Sequence, residues 1–101
     1  MSHRSDELTR VFREGRRISS RFFTAYYHPR LATPRPLLLV IVGQKVASKS
    51  TRRNRIRRRL REVLRKIQVR GALVILGKSE AAEAPFEQLK KEAEQLSHFL
   101  K

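Results

Sequence analysis

Residues 52–67 constrain the fold more than any other part of the chain. Ile56, Leu60, Val63, Leu64 and Ile67 recur at i, i+4, i+7, i+8 and i+11, the spacing of one apolar stripe along an α-helix. Around them stand Arg52, Arg53, Arg55, Arg57, Arg58, Arg59, Arg61 and Arg65. Such a helix has one apolar face to bury, so it must lie on an apolar surface and turn arginine away from it. Two short runs can supply that surface. Leu37 to Val42, bounded by Pro36 and Gly43, is continuously apolar and reads as a strand covered on both faces or nearly so. Ala72 to Leu76, between Gly71 and Gly77, reads as a second.

The rest of the chain fits around this unit. Asp6 to Gly15 reads as a short helix with Leu8, Val11 and Phe12 on one face, Ser5 or Asp6 as its cap and Gly15 in a left-handed position at its end. Ile18 to Tyr27 is rich in β-branched and aromatic residues, which favours strand. Three prolines make 28–36 a loop. Ser50 or Thr51 is available to cap the arginine helix. After a polar, alanine-rich loop at 78–84, Pro85 suits the first turn of a last helix, with Phe86, Leu89, Ala93, Leu96 and Leu100 on its buried face. The order helix, strands, helix, strand, helix predicts a small α+β protein, a two-layer sandwich of helices on a sheet, with 1–101 as one domain.

Charge narrows the function. The chain carries +15 over 101 residues, and +10 of that excess lies in residues 36–66. Like charges at i,i+4, such as Arg53/Arg57 and Arg57/Arg61, cost roughly 0.2–0.5 kcal/mol each in an isolated helix. Only Glu62 stands nearby to relieve them, within reach of Arg58 and Lys66. Repeated violation of local rules points to a ligand, and the ligand is a polyanion. Arginine dominates over lysine, which suits bidentate phosphate recognition and stacking on bases. A lipid surface is disfavoured because the helix needs its apolar stripe for the sheet. Nucleic acid is therefore the expected partner, through Arg52, Arg53, Asn54, Arg55, Arg57, Arg58, Arg61 and Arg65, with Lys45 and Lys49 from the preceding loop. Asn54 either caps the helix or contacts a base edge. Neither Arg53 nor Arg55 lies in the centre of the stripe, so changing both to alanine is expected to impair assembly with the nucleic-acid partner while leaving the fold intact.

Other classes are poorly supplied. There is no cysteine, hence no disulfide, thiolate metal site or cysteine nucleophile, and a reducing, cytoplasmic setting is expected. No apolar run approaches the roughly 20 residues that span a bilayer, and no signal-peptide pattern opens the chain. His3, His28 and His98 are scattered and Asp6 is the only aspartate. No catalytic residue, protein-bound metal or cofactor, small-molecule substrate or membrane partner is expected of the polypeptide.

Arg53-Asn54-Arg55, continued by Arg57, Arg58, Arg61 and Glu62 and preceded by Lys45 and Lys49, resembles the "RNR" signature of the protein subunit of bacterial ribonuclease P. Val11-Phe12-Arg13 with Gly15 resembles the family's first helix and turn, Phe22 to Tyr27 its aromatic strand, and Gly71 to Leu76 with the Phe86 helix its closing elements. Gln44 and Ala47-Ser48 depart from the family's usual residues, and the gap from Lys45 to Arg53 is one residue longer. The resemblance implies an α-β-β-β-α-β-α order with a left-handed crossover. It implies binding to the catalytic ribonuclease P RNA, whose Mg²⁺ ions and nucleotides carry the chemistry of an endoribonuclease. It also implies a cleft for the 5′ leader of precursor tRNA between the first helix and the sheet, with Phe12, Arg13, Phe23 and Tyr27 as candidates. Packing in the core is the competing role of those aromatics. A ribosomal or ribosome-associated RNA-binding protein is the alternative function.

Overall fold

The computed structural model describes residues 3–31 and 36–100, so the middle of the proline-rich loop lies outside it. Its elements are α1 (His3–Glu14), β1 (Arg16–Ser19), β2 (Phe23–His28), β3 (Leu37–Ile41), α2 (Ser50–Leu64), β4 (Ala72–Gly77), a 3₁₀ turn (Ser79–Ala82) and α3 (Phe86–Phe99). The expected α-β-β-β-α-β-α order is present. The sheet runs β1-β2-β4-β3, antiparallel except for the parallel β3–β4 pair that α2 connects.

The stretch read as one strand is a hairpin. Phe23 accepts a backbone hydrogen bond from the Ser20 N–H at 2.8 Å, and the Ser20 hydroxyl accepts one from the Phe22 N–H at 3.1 Å. Lys78, just past β4, pins this turn by donating from its ammonium to the Ser20 carbonyl at 2.6 Å. Aromatic content identified the strand residues. The Ser20-centred hydrogen bonds that fold the run back carry no such signature.

Alternation along the strands sorts side chains to two faces. On one face Phe23, Ala25, Tyr27, Val40, Val42, Leu73 and Ile75 pack against Ile56, Leu60 and Leu64 of α2 and Leu89, Ala93 and Leu96 of α3. Burying each of the three α2 side chains contributes roughly 1.5–3 kcal/mol, against a few tenths per like-charge pair. Burial therefore holds the arginine-rich helix down. On the other face Ala72 and Val74 are buried beneath Val11 and Leu31, with Leu8, Tyr26, Leu37, Ile41 and Leu76 partly covered.

Several local expectations change. α1 begins at His3, so Ser5 and Asp6 lie inside it rather than capping it. Gly15 is not left-handed; a Cβ there would press on the Val11 carbonyl oxygen and lie 2.9 Å from that of Tyr27, so the position needs small size. Among the described residues the one positive-φ glycine is Gly71. α2 spans 50–64 rather than 52–67, and neither Ser50 nor Thr51 caps it: the N-cap is Lys49, with no side-chain hydrogen bond. The alanine-rich segment after β4 contains the 3₁₀ turn, with Ala81 and Ala82 fully buried. Phe86, expected on the buried face of α3, is 45% exposed.

Candidate nucleic-acid interface

The arginines of α2 divide into two groups. Arg59 reaches across to the 3₁₀ turn, its guanidinium donating to the carbonyls of Ala81 at 2.9 Å, Ala82 at 2.8 Å, and Ala84. Arg55 donates from Nε to the Ala82 carbonyl at 2.9 Å. Carbonyls at the end of a helical turn lack partners within it, and the rigid guanidinium fork supplies them. Arg52 pairs with Glu83 at 3.1 Å. Arg53 donates to the carbonyls of Ala47 and Ser48, both at 2.9 Å, and so ties down the loop that carries Lys45 and Lys49. Arg53 and Arg55 thus also tie local structure, in addition to the RNA-binding role expected of them. Replacing Arg59 with alanine should lower stability by about 2 kcal/mol, since hydrogen bonds from charged groups contribute roughly 1.5–3 kcal/mol. Lysine should restore little of it, because one ammonium cannot span three carbonyls. Urea unfolding of both variants checks this.

The second group faces outward. Lys45, Lys49, Arg58 and Arg61 are exposed and, among the described residues, no hydrogen bond or ion pair holds their side chains. Arg57 donates to the Asn54 side-chain carbonyl. Asn54 lies inside α2 rather than at its cap, so the capping role is excluded and the residue instead steadies Arg57. Glu62 pairs with Arg65 at 3.5 Å, not with Arg58 or Lys66. Thr51, Asn54, Arg57, Arg58 and Arg61 line an open hollow of about 470 Å³. Guanidinium groups around a concave surface suit a phosphate backbone.

On the opposite face of the sheet, α1 lies across β2 and β4. Phe12, 39% exposed, meets Tyr26 edge-to-face, with centroids 5.0 Å apart and an interplanar angle of 84°. Phe23 and Tyr27 do not belong here. Both are buried and point to the α2–α3 side, because they share the parity of Ala25 on β2. Tyr26, of opposite parity, is the aromatic that faces α1. Arg17 is its cross-strand partner on β1 and falls on the same face. Arg13 is exposed near the end of α1. Sequence patterning alone does not single out Tyr26 and Arg17 for this face. Strand parity finds both once Phe23 is assigned to the core. On β3, Leu37, Leu39 and Ile41 are half-buried and extend this face as an apolar floor.

The end of α1 is clasped to the sheet by Glu14, whose carboxylate lies 2.9 Å from His28 Nε2 and 3.4 Å from an Arg10 nitrogen. The His28 hydrogen bond, and after it that of Arg10, hold the Glu14 carboxyl below its usual value of 4.5. The clasp contributes above that value and is lost as the pH falls through the lowered one.

Among the described residues no three His, Asp or Glu side chains gather to hold a metal ion, and no helix is long and apolar enough to cross a membrane.

Known proteins share this fold. The Ribonuclease P family model matches residues 3–101. The ribonuclease P protein component of Thermus oshimai is 36% identical over 89 residues, covering 87% of this chain and 56% of its own length. That of Acidothermus cellulolyticus is 35% identical over 98 residues, covering 92% and 81%. The chain spans a little over half the length of the Thermus relatives. In fold, it is similar to the RNase P protein of Thermotoga maritima, with a TM-score of 0.78 at 21% identity over 100% of this chain and 96% of that one. The Staphylococcus aureus protein gives 0.73 at 18% identity, over 100% and 94%. With RNR on the helix that crosses from β3 to β4, and with the match running over almost its whole length, the chain belongs to the ribonuclease P protein component family.

Proposed function

We propose that this chain is the RNA-binding protein subunit of ribonuclease P, an endoribonuclease that removes the 5′ leader from precursor tRNA in the cytoplasm. The observation that carries the reading is the group of outward cations on and before α2, Lys45, Lys49, Arg58 and Arg61, without intramolecular partners among the described residues, in a member of this family. Ribonuclease P RNA docks there through its phosphates. Precursor tRNA is engaged on the other face, where the Phe12–Tyr26 pair offers aromatic surface and Arg13 and Arg17 offer charge. Single-stranded RNA is held by this combination, at roughly 1–3 kcal/mol per stacked base.

The chemistry belongs to the RNA in this reading. Mg²⁺ bound to that RNA supplies activated water and charge neutralisation, while the polypeptide lends affinity and screens phosphate repulsion. Precursor tRNA incubated with the protein, with a bacterial ribonuclease P RNA, and with both tests it. Cleavage at the mature 5′ end should be stimulated at low Mg²⁺ only in the mixture. Cleavage by the protein alone would contradict the assignment of chemistry to the RNA.

A further inference from the structure

Phe86 is where the helical pattern and the structure part company. Its spacing with Leu89, Ala93 and Leu96 predicts burial, yet the ring is 45% exposed at the start of α3 while the other three are covered. The cause lies in α2. Arg55 and Arg59 grip the carbonyls of Ala81, Ala82 and Ala84. They thereby fix the segment leading into Pro85 and Phe86: Ala81, Ala82 and Ala84 pack in the core with Ile56 and Leu60, while Phe86 itself comes to lie beside the polar flank of α2. Phe86 then lines an open concavity of about 420 Å³ with Arg55, Arg58, Arg59 and Glu62. That size lies in the range of small-molecule sites, about 300–1,000 Å³.

Three guanidinium groups line this hollow, and among the described residues none of them stacks on the ring. The cation–π contacts present lie elsewhere, Arg16 on Phe99 and Arg21 beside Phe22. Arg55 and Arg59 are turned down onto carbonyls, and Arg58 has no partner among the described residues. An exposed phenyl ring beside an uncommitted arginine, in the most basic part of the chain, matches an aromatic platform with a cation to meet the attached phosphate.

We infer that Phe86 and Arg58 form a stacking slot for one unpaired base of the docked RNA, with the adjoining phosphate on Arg58. RNA docking then uses two elements, α2 and the first turn of α3, locked together by Arg55 and Arg59. The inference rests on the reading of α2 as the RNA-docking helix. It adds base contact to what is otherwise a phosphate-binding surface. Glu62 at the rim can accept hydrogen bonds from a base that presents N–H groups.

Phe86→Ala, Phe86→Leu and Phe86→Trp separate stacking from charge. The probes are a transcribed bacterial ribonuclease P RNA and inorganic polyphosphate, which has charge but no bases. The slot predicts roughly tenfold weaker RNA binding for the alanine and leucine variants, near-parental binding for the tryptophan variant, and unchanged polyphosphate binding in all three. The chain has no tryptophan of its own, so the introduced indole is a clean reporter: RNA should quench it and polyphosphate should not. Parental RNA affinity in Phe86→Ala, or an indole indifferent to RNA, overturns the slot. If Arg58→Ala and Arg61→Ala still weaken RNA binding in that case, the docking reading of α2 survives. If they do not, both fall. Leucine keeps the apolar bulk, so equal losses in the leucine and alanine variants exclude a packing defect.

Discussion

Changing Lys49, Arg58 and Arg61 together to alanine is expected to lower affinity for ribonuclease P RNA about a thousandfold while leaving the unfolding transition in place. Hydrogen bonds from charged groups contribute about 1.5 kcal/mol or more, close to tenfold each. All three side chains are exposed, and among the described residues none of them makes a hydrogen bond or ion pair. Removing them also relieves like-charge crowding, which is why stability should hold or rise slightly. Arg55 and Arg59 set the contrast. They stand on the same helix with the same charge, but their guanidinium groups are committed to backbone carbonyls, so their loss strikes stability first. Electrophoretic mobility shift with the RNA, beside urea unfolding of the same samples, reads both effects. A triple variant that binds as the parent does would remove α2 from the interface.

Gly71→Ala should be the most damaging small substitution in the fold, at roughly 3 kcal/mol or more. Gly71 has φ +71, and a Cβ there would run into the carbonyl oxygen of His28 and lie 2.8 Å from the carbonyl carbon and oxygen of Pro29. Holding a non-glycine residue in that backbone region costs of order 1–3 kcal/mol before any clash. The obstructing atoms are backbone and cannot swing aside. The same residue accepts the Leu37 N–H at 2.9 Å, where the parallel β3–β4 pair begins, so displacement there loosens the pairing on which both helical layers rest. With about 4–8 °C lost per kcal/mol in a domain near this size, the melting temperature should drop by more than about 12 °C. A drop of only a few degrees would mean that the chain can relax around the Cβ.

The element order was legible because each element advertises itself locally. The stripe Ile56-Leu60-Leu64 marks α2, the apolar runs mark β3 and β4, and Leu89-Ala93-Leu96 marks α3. Which side of a strand a residue faces was harder. Phe23, Tyr26 and Tyr27 are all aromatic, and only the pairing with β4 and the position of α1 decide that Tyr26 faces α1 while the other two enter the core. Least legible was the purpose of each arginine. The sequence places eight arginines between 52 and 65, seven of them on α2, but the partners of Arg55 and Arg59 lie more than 20 residues away and are backbone carbonyls. Any residue type can supply a carbonyl, so no sequence pattern announces it. Phe86 escapes the pattern for the same reason: helical periodicity gives its direction on α3, but the carbonyl contacts of Arg55 and Arg59 that set the segment before it leave no mark in the sequence.

The central claim is that the outward cations on and before α2 hold RNA by its phosphates. Its most direct test is the affinity of the unmodified protein for ribonuclease P RNA measured across salt concentrations. Each neutralised phosphate lowers log affinity by roughly 0.7–0.9 per tenfold rise in salt. With Lys45, Lys49, Arg58 and Arg61 engaged, the predicted slope is about −3. An affinity that stays flat as salt rises would contradict the account.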